Sequence, residues 1–246
     1  MLADWRNAQI DNRLSATLGF LEKITLYPRE IDSHDVEELR RAGLTDRAIL
    51  DATYVCVGFN IIGRIANALG FDIPSEELFS RAAKLLRVFG YKRLSGFWTN
   101  KRTKRSVSPQ YDYDSARSFD PYAMKMTRLH HAVTSSPASL SNVVRQTITA
   151  GRNVSGPLGS YVRKVAEHAY EITDEDMASL HAAAYTDDEI FEATVSAALG
   201  AGLFRLDCVL RALVASQSIS PAIQSSTNEA DRTITNDKPL AASAVV

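Results

Sequence analysis

Apolar residues along this chain recur at helical spacing. Ile49, Ala52, Val55, Cys56, Phe59, Ile62, Ile65, Ala66 and Leu69 follow one another one, three or four positions apart, and Ile190, Ala193, Ala197, Leu203, Leu206, Val209 and Leu213 form a second such run. Each run predicts a long helix, apolar around most of its circumference and therefore central in a bundle. The punctuation agrees. Asp32 is placed to cap a short helix carrying Val36, Leu39 and Ala42, with Gly43 as its stop, and Thr45 to cap the long helix that ends at Leu69 and Gly70. Thr173 opens a second short helix, and Thr186 with Glu189 has the spacing of a capping box before the second long one. Flanking helices are expected over residues 14–24, from Pro74-Ser75-Glu76-Glu77 to a stop at Gly90, from Asp120-Pro121, and from Ser136-Pro137 towards Gly151. No stretch alternates with the period of a strand, so the expected fold class is all-α.

The two long helices belong to a repeat. Residues 22–69 find their match within residues 161–213 in one register without a gap, each residue pairing with the one 141 positions later, as Glu30 does with Glu171. Ile31, Asp35, Leu39, Ala42, Thr45, Asp46, Ile49, Ala52, Thr53 and Arg64 recur as Ile172, Asp176, Leu180, Ala183, Thr186, Asp187, Ile190, Ala193, Thr194 and Arg205. A long unit present twice reads as a duplicated supersecondary module. The organisation that follows is a helical repeat over 1–90, a basic and tyrosine-rich linker over 91–119, a second repeat over 120–216, and a polar tail over 217–246 whose composition predicts disorder. The expected architecture is a pseudo-symmetric bundle of the two halves.

Composition narrows the function classes. Net charge is −1 at pH 7, so no whole-molecule field steers the chain to nucleic acid or membrane. Two cysteines at non-equivalent repeat positions, Cys56 and Cys208, make no disulfide framework and fit a reducing compartment. The first residues hold no apolar core of signal-peptide length, and the run from Ala193 to Phe204 is short for a bilayer, which predicts a cytoplasmic protein without a membrane span. One local exception is basic: Arg81, Lys84, Arg87, Lys92, Arg93, Lys101, Arg102, Lys104 and Arg105 occur with no acid among them and with Phe89, Tyr91, Phe97 and Trp98 interleaved. Basic residues with aromatics grip single strands. A solvated linker balanced by Asp112, Asp114 and Asp120 is the favoured reading, so nucleic acid is not an expected partner.

The segment from Glu22 to Pro74, with "LTDRAILDA" opening its long helix and "FNIIGRIANALG" closing it, resembles the carboxymuconolactone decarboxylase and AhpD-like alkylhydroperoxidase superfamily; the block "EHAYEITDEDMASLHAAAYTDDEIFEATVSAALGAGLFRLDCVLRAL" looks like a second copy. The resemblance implies an all-helical fold that associates as an oligomer through these helices. It also implies a thiol pair, C-x-x-C, with a histidine four residues on, in the peroxidase members. Those positions fall here on Asn60, Gly63 and Asn67, and in the second copy on Ala201, Phe204 and Cys208. The pair is absent from both, so peroxidase chemistry by disulfide cycling is not expected. Decarboxylase members work by acid–base chemistry in a pocket between helices.

Four residues are then candidates. Arg64 and Arg205 stand at one repeat position on apolar helices, where a guanidinium needs a carboxylate partner or an anionic ligand. Asp35 and Asp176 are available as partners, which makes the pair either an anion clamp for a substrate carboxylate or a repeated ion pair that sets helix packing. Asn60, in an apolar run, faces a pocket or ties helices together. Cys56 is either a lone reactive thiol or a small buried hydrophobe. His34 and His181 lie on short helices at different repeat positions, and adjacent His130 and His131 point to different sides of a helix, one expected exposed and one packed. No metal or cofactor is expected. His168 is expected to meet the carbonyls ending its own helix. Three functions stay open: binding of or action on a small organic acid or lactone, an antioxidant role resting on Cys56, and a non-catalytic binding or scaffold role.

Overall fold

A computed structural model describes residues 5–71, 75–99, 120 and 122–233. The protein is all-α. In chain order its helices are α1 Asn12–Leu26, α2 Ser33–Arg41, α3 Asp46–Ala68, α4 Glu76–Thr99, α5 Ala123–Ser135, α6 Asn142–Thr149, α7 Gly156–His168, α8 Asp174–Ala182 and α9 Asp187–Thr233. One-turn 3-10 segments at Pro28–Glu30 and Ala169–Glu171 precede α2 and α8. The starts are set by the residues that the sequence singled out. Asp32 accepts from the His34 and Asp35 amides while the Asp35 carboxylate accepts from the Asp32 amide, a complete capping box. Thr45 caps α3 through the Ala48 amide, and Thr186 and Glu189 exchange bonds at the start of α9. The start of α6 departs from expectation: Ser141, not the Ser136-Pro137 pair, caps it. The carbonyls of Val133, Ser136 and Leu140 before it instead accept from the buried Arg145 guanidinium. α5 likewise begins at Ala123.

The chain divides into two compact units, one of residues 1–69 with 125–246 and one of 70–124. The two repeats lie in a single unit because each long helix is shared between two cores. One core gathers Phe20, Ile24, Val36, Leu39, Ile49, Leu50 and Cys56 with Val209, Ala212 and Leu213 from the second half of α9. The other gathers Leu158, Tyr161, Val165, Leu180, Ile190, Ala193 and Ala197 with Ala68 from the end of α3. Neither repeat closes its core alone, so burial of apolar area, worth about 25 cal/mol per Å², is available only when both are present. The smaller unit contains α4. Gly90 there has φ 64° and ψ 162°, outside helical values, at the place read as a stop.

α3 is central on one side only. Ile49, Leu50, Thr53 and Val57 are buried, whereas Val55, Phe59 and Ile62 form an exposed stripe. At the matching positions of α9 stand Ser196, Gly200 and Leu203, and here α6 closes over the helix: the Thr149 carbonyl lies 2.5 Å from where a Cβ on Gly200 would sit. Small residues admit the extra helix on α9, and bulky ones face outward on α3. By length and composition α3 is also, among the described residues, the one helix able to cross a membrane. The segment expected to be disordered from residue 217 begins as a continuation of α9, which runs to Thr233; extending an existing helix costs far less than nucleating one. Residues 234–246 and most of the linker over 91–119, with Lys101, Arg102, Lys104 and Arg105, lie outside the described residues.

Two tests follow from the joints between short and long helices. The reversal after α2 uses Gly43 at φ 91°, and the matching reversal after α8 places Ala184 at φ 65°. Only glycine reaches this region without a steric cost. Ala184→Gly is expected to stabilise the protein by roughly 0.5–1 kcal/mol and Gly43→Ala to destabilise it by at least as much, read from urea unfolding. The second joint is the Arg40–Asp46 pair, 2.7 Å from Nε to Oδ1, bracing α2 on α3. The Arg40 hydrogen bond holds the Asp46 carboxyl below its ordinary range. A depressed carboxyl stabilises the fold above its unfolded value and loses that contribution as pH falls through the folded one. Asp46→Asn is therefore expected to cost up to about 1 kcal/mol at pH 7 and nothing at about pH 2, measured by denaturation at both.

Candidate functional site

The structure places three of the four candidates together. On α3, Cys56, Asn60 and Arg64 succeed one another by single turns, so their side chains share one face. The Asn60 amide nitrogen donates to the Thr25 hydroxyl at 3.1 Å and to the Cys56 carbonyl at 3.0 Å, with the Cys56 sulfur 3.4 Å away. Its oxygen accepts from an Arg64 terminal nitrogen at 2.8 Å. Asn60 is buried, and its amide is used on both sides, as a polar group in that setting requires. The Cys56 sulfur also lies 3.5 Å from the Thr25 hydroxyl and 3.6 Å from the Leu21 carbonyl. Cys56 and Cys208 are both buried and free.

Arg64 and Arg205 do not meet the acids expected for them. Asp35 accepts from Lys23 at 2.7 and 2.8 Å, and Asp176 from Lys164 at 2.9 and 2.7 Å. Each aspartate sits in the first turn of its short helix, turned back towards its cap, where a lysine on the preceding helix reaches it. Lys23 and Lys164 stand at one repeat position, so their recurrence in the sequence marks them as the partners of the two aspartates. The arginines donate instead to backbone carbonyls of the opposite half. Arg64 Nε reaches the Ala166 carbonyl on α7 at 3.1 Å, and an Arg205 terminal nitrogen reaches the Thr25 carbonyl on α1 at 3.1 Å. Ala166 and Thr25 occupy one repeat position, so the two contacts are reciprocal.

Carbonyl dipoles are weaker partners for a cation than carboxylates, and the electrostatics reflect this. Burial and the neighbouring Arg205 charge push Arg64 down to about 10, and burial pushes Arg205 down as well. Arg205 is 8% exposed, and its Nε–H is buried without a hydrogen-bond partner among the described residues. An unsatisfied buried guanidine N–H is costly.

Arg205 lines a cavity of about 1320 Å³ within the larger unit. Its walls come from the 26–30 segment, the α6–α7 connection, α7 and α9. Gly159 and Gly200 are two of its lining residues, and both let backbone approach closely: added Cβ atoms would sit 1.8 Å from the Val154 carbonyl and 2.5 Å from the Thr149 carbonyl. Charged side chains in the walls are Arg29, Arg152 and Arg163 with Glu30, Glu167 and Asp207, and His168 joins them. Asp207 is paired with Arg211 at 3.0 Å. Of the sequence candidates only Arg205 lines this cavity; Asn60, Arg64 and Cys56 are not in its walls. The lining residues on turns carry no periodic signature, so pattern reading had nothing with which to find them.

The histidines are dispersed. His34 pairs with Glu38 at 3.6 Å and His181 with Asp187 at 3.5 Å, both on the surface. His130 and His131 are both exposed, where one was expected packed, because α5 turns both outward. His168, expected to meet helix-end carbonyls, lies edge-on to Tyr170 with ring centres 6.0 Å apart. Among the described residues no group of three or more His, Cys, Asp or Glu is placed to hold a metal ion.

Asn60 is the hub that joins Thr25, Cys56 and Arg64. Asn60→Leu, similar in volume, is expected to destabilise the protein by about 1–3 kcal/mol by orphaning buried polar groups, with Cys56→Ala milder; urea titration of both variants checks the ranking. Comparison with family models, with curated proteins and with solved structures found no match to this chain.

Proposed function

We propose that this protein binds a small organic acid through Arg205, and that it is a divergent two-copy relative of the carboxymuconolactone decarboxylase and AhpD-like superfamily with its halves packed about an approximate dyad. The observation that carries the binding proposal is that Arg205, whose buried Nε–H has no partner among the described residues, lines a cavity of about 1320 Å³. A carboxylate supplies what this guanidinium lacks, an acceptor and a negative charge, and charge-assisted bonds of this kind are the strong ones. Arg64 is better satisfied, holding Asn60 and Ala166, and its proposed part is to support the Arg205 side chain's surroundings. His168, Glu30, Glu167 and Asp207 share the same walls. They are groups able to move a proton to or from a bound acid, so the proposal extends to acid–base chemistry of the decarboxylase kind. The family reading draws support from the 141-residue register and from the reciprocal arginine contacts. The buried, hydrogen-bonded Cys56 favours this reading over a thiol-based antioxidant role.

Titration calorimetry of the full chain with a panel of monocarboxylates tests the proposal. The expected result is saturable binding that Arg205→Met weakens about 10- to 100-fold while far-ultraviolet circular dichroism stays helical. Equal affinity in the variant, or no binding by the unaltered protein, would refute it.

A further inference from the structure

We infer that the acid held by Arg205 carries an aromatic body. This rests on the reading of Arg205 as a carboxylate anchor and adds the chemistry of the rest of the ligand. Beside its charged side chains, the cavity wall carries apolar bulk close to Arg205 in the chain. Phe204 precedes it directly on α9, and the Thr25 carbonyl that accepts from Arg205 is followed by Leu26 and Tyr27. All three of these large side chains line the cavity, and all are open to it or to solvent: Leu26 is 57%, Tyr27 56% and Phe204 38% exposed. Exposed apolar bulk is ordinary on a convex surface. Gathered in a concave wall beside a buried cation, it marks the apolar part of a binding site.

The same wall also pairs a cation with a ring. The Arg29 guanidinium sits over the Phe204 ring, 5.6 Å from its centroid, and Arg29 is a lining residue too. A planar guanidinium on an aromatic face, with a second aromatic ring in the same wall, offers stacking surfaces that a saturated chain does not exploit. A ring bearing a carboxylate would set the charge on Arg205 and the π-face against Phe204, Tyr27 or Arg29. A small polar acid would leave this wall wet, and a saturated ring would gain the area but not the stacking. The stacking increment corresponds to about a two- to tenfold gain in affinity.

The test titrates the full chain with 2-naphthoate, benzoate, cyclohexanecarboxylate and acetate. Benzoate is expected to bind at least about twofold tighter than cyclohexanecarboxylate, with naphthoate tighter still and acetate weakest. Phe204→Leu keeps apolar bulk at a partly exposed position and removes the ring; it is expected to erase the preference for benzoate over cyclohexanecarboxylate while both still bind. Equal or tighter binding of cyclohexanecarboxylate, or an undiminished preference in Phe204→Leu, overturns the inference and leaves the carboxylate reading standing. If none of the four binds, both fall together.

Discussion

Two guanidiniums crossing between the halves are the constraint on which the unit turns. Arg64 leaves α3 for a carbonyl on α7, and Arg205 leaves α9 for a carbonyl on α1. Each therefore ties a long helix to the helix that opens the other half. The contacts are neutral-acceptor bonds to fixed cations, so they hold position without cancelling charge. Two like charges remain inside the bundle, close enough that Arg205 helps to lower the proton affinity of Arg64. Such a pair is expensive unless geometry satisfies it. At Arg64 the geometry does so, through Asn60; at Arg205 one N–H is left over.

That difference follows from a single substitution between the copies. Asn60 in the first half corresponds to Ala201 in the second. The amide that gathers Thr25, Cys56 and Arg64 has no counterpart beside Arg205, whose other terminal nitrogen bonds only the Ala201 carbonyl. A second difference enlarges the opening there. α6 and the turn after it wrap α9, where Ser196 and Gly200 are small, and their far edge leaves the cavity wall. Among the described residues of the larger unit no helix wraps the matching Val55–Phe59–Ile62 face of α3, so the two halves share a frame but not a surface. Differences at a few matching positions leave one half tight and the other hollow.

Tyr161 and Thr194 show the same economy inside the second core. The phenol and the threonine hydroxyl lie 2.7 Å apart, both buried, and burial raises the tyrosine's proton affinity. At the matching places of the first half stand Phe20 and Thr53, and Thr53 turns to its own helix, donating to the Ile49 carbonyl. Either arrangement satisfies its polar groups, which is the condition for tolerating them in a core.

Much of the scaffold was legible in the chain itself. Helical periodicity, the caps at Asp32, Thr45 and Thr186 and the stop at Gly43 act over a few residues, so local chemistry specifies them, and the 141-residue register is read by comparing the two stretches directly. So did the identity of the buried arginines, since a charge recurring on an apolar helix must serve some fixed purpose. The partners were not legible. Asp35 and Asp176 recur at one repeat position, yet their first-turn geometry hands them to lysines, and carbonyls more than a hundred residues away take the arginines. Nor was the cavity, whose walls come from three separated stretches brought together only when α7 and α9 pack. Spacing along a chain fixes which face a side chain occupies; what waits across from that face is set by packing between elements distant in sequence.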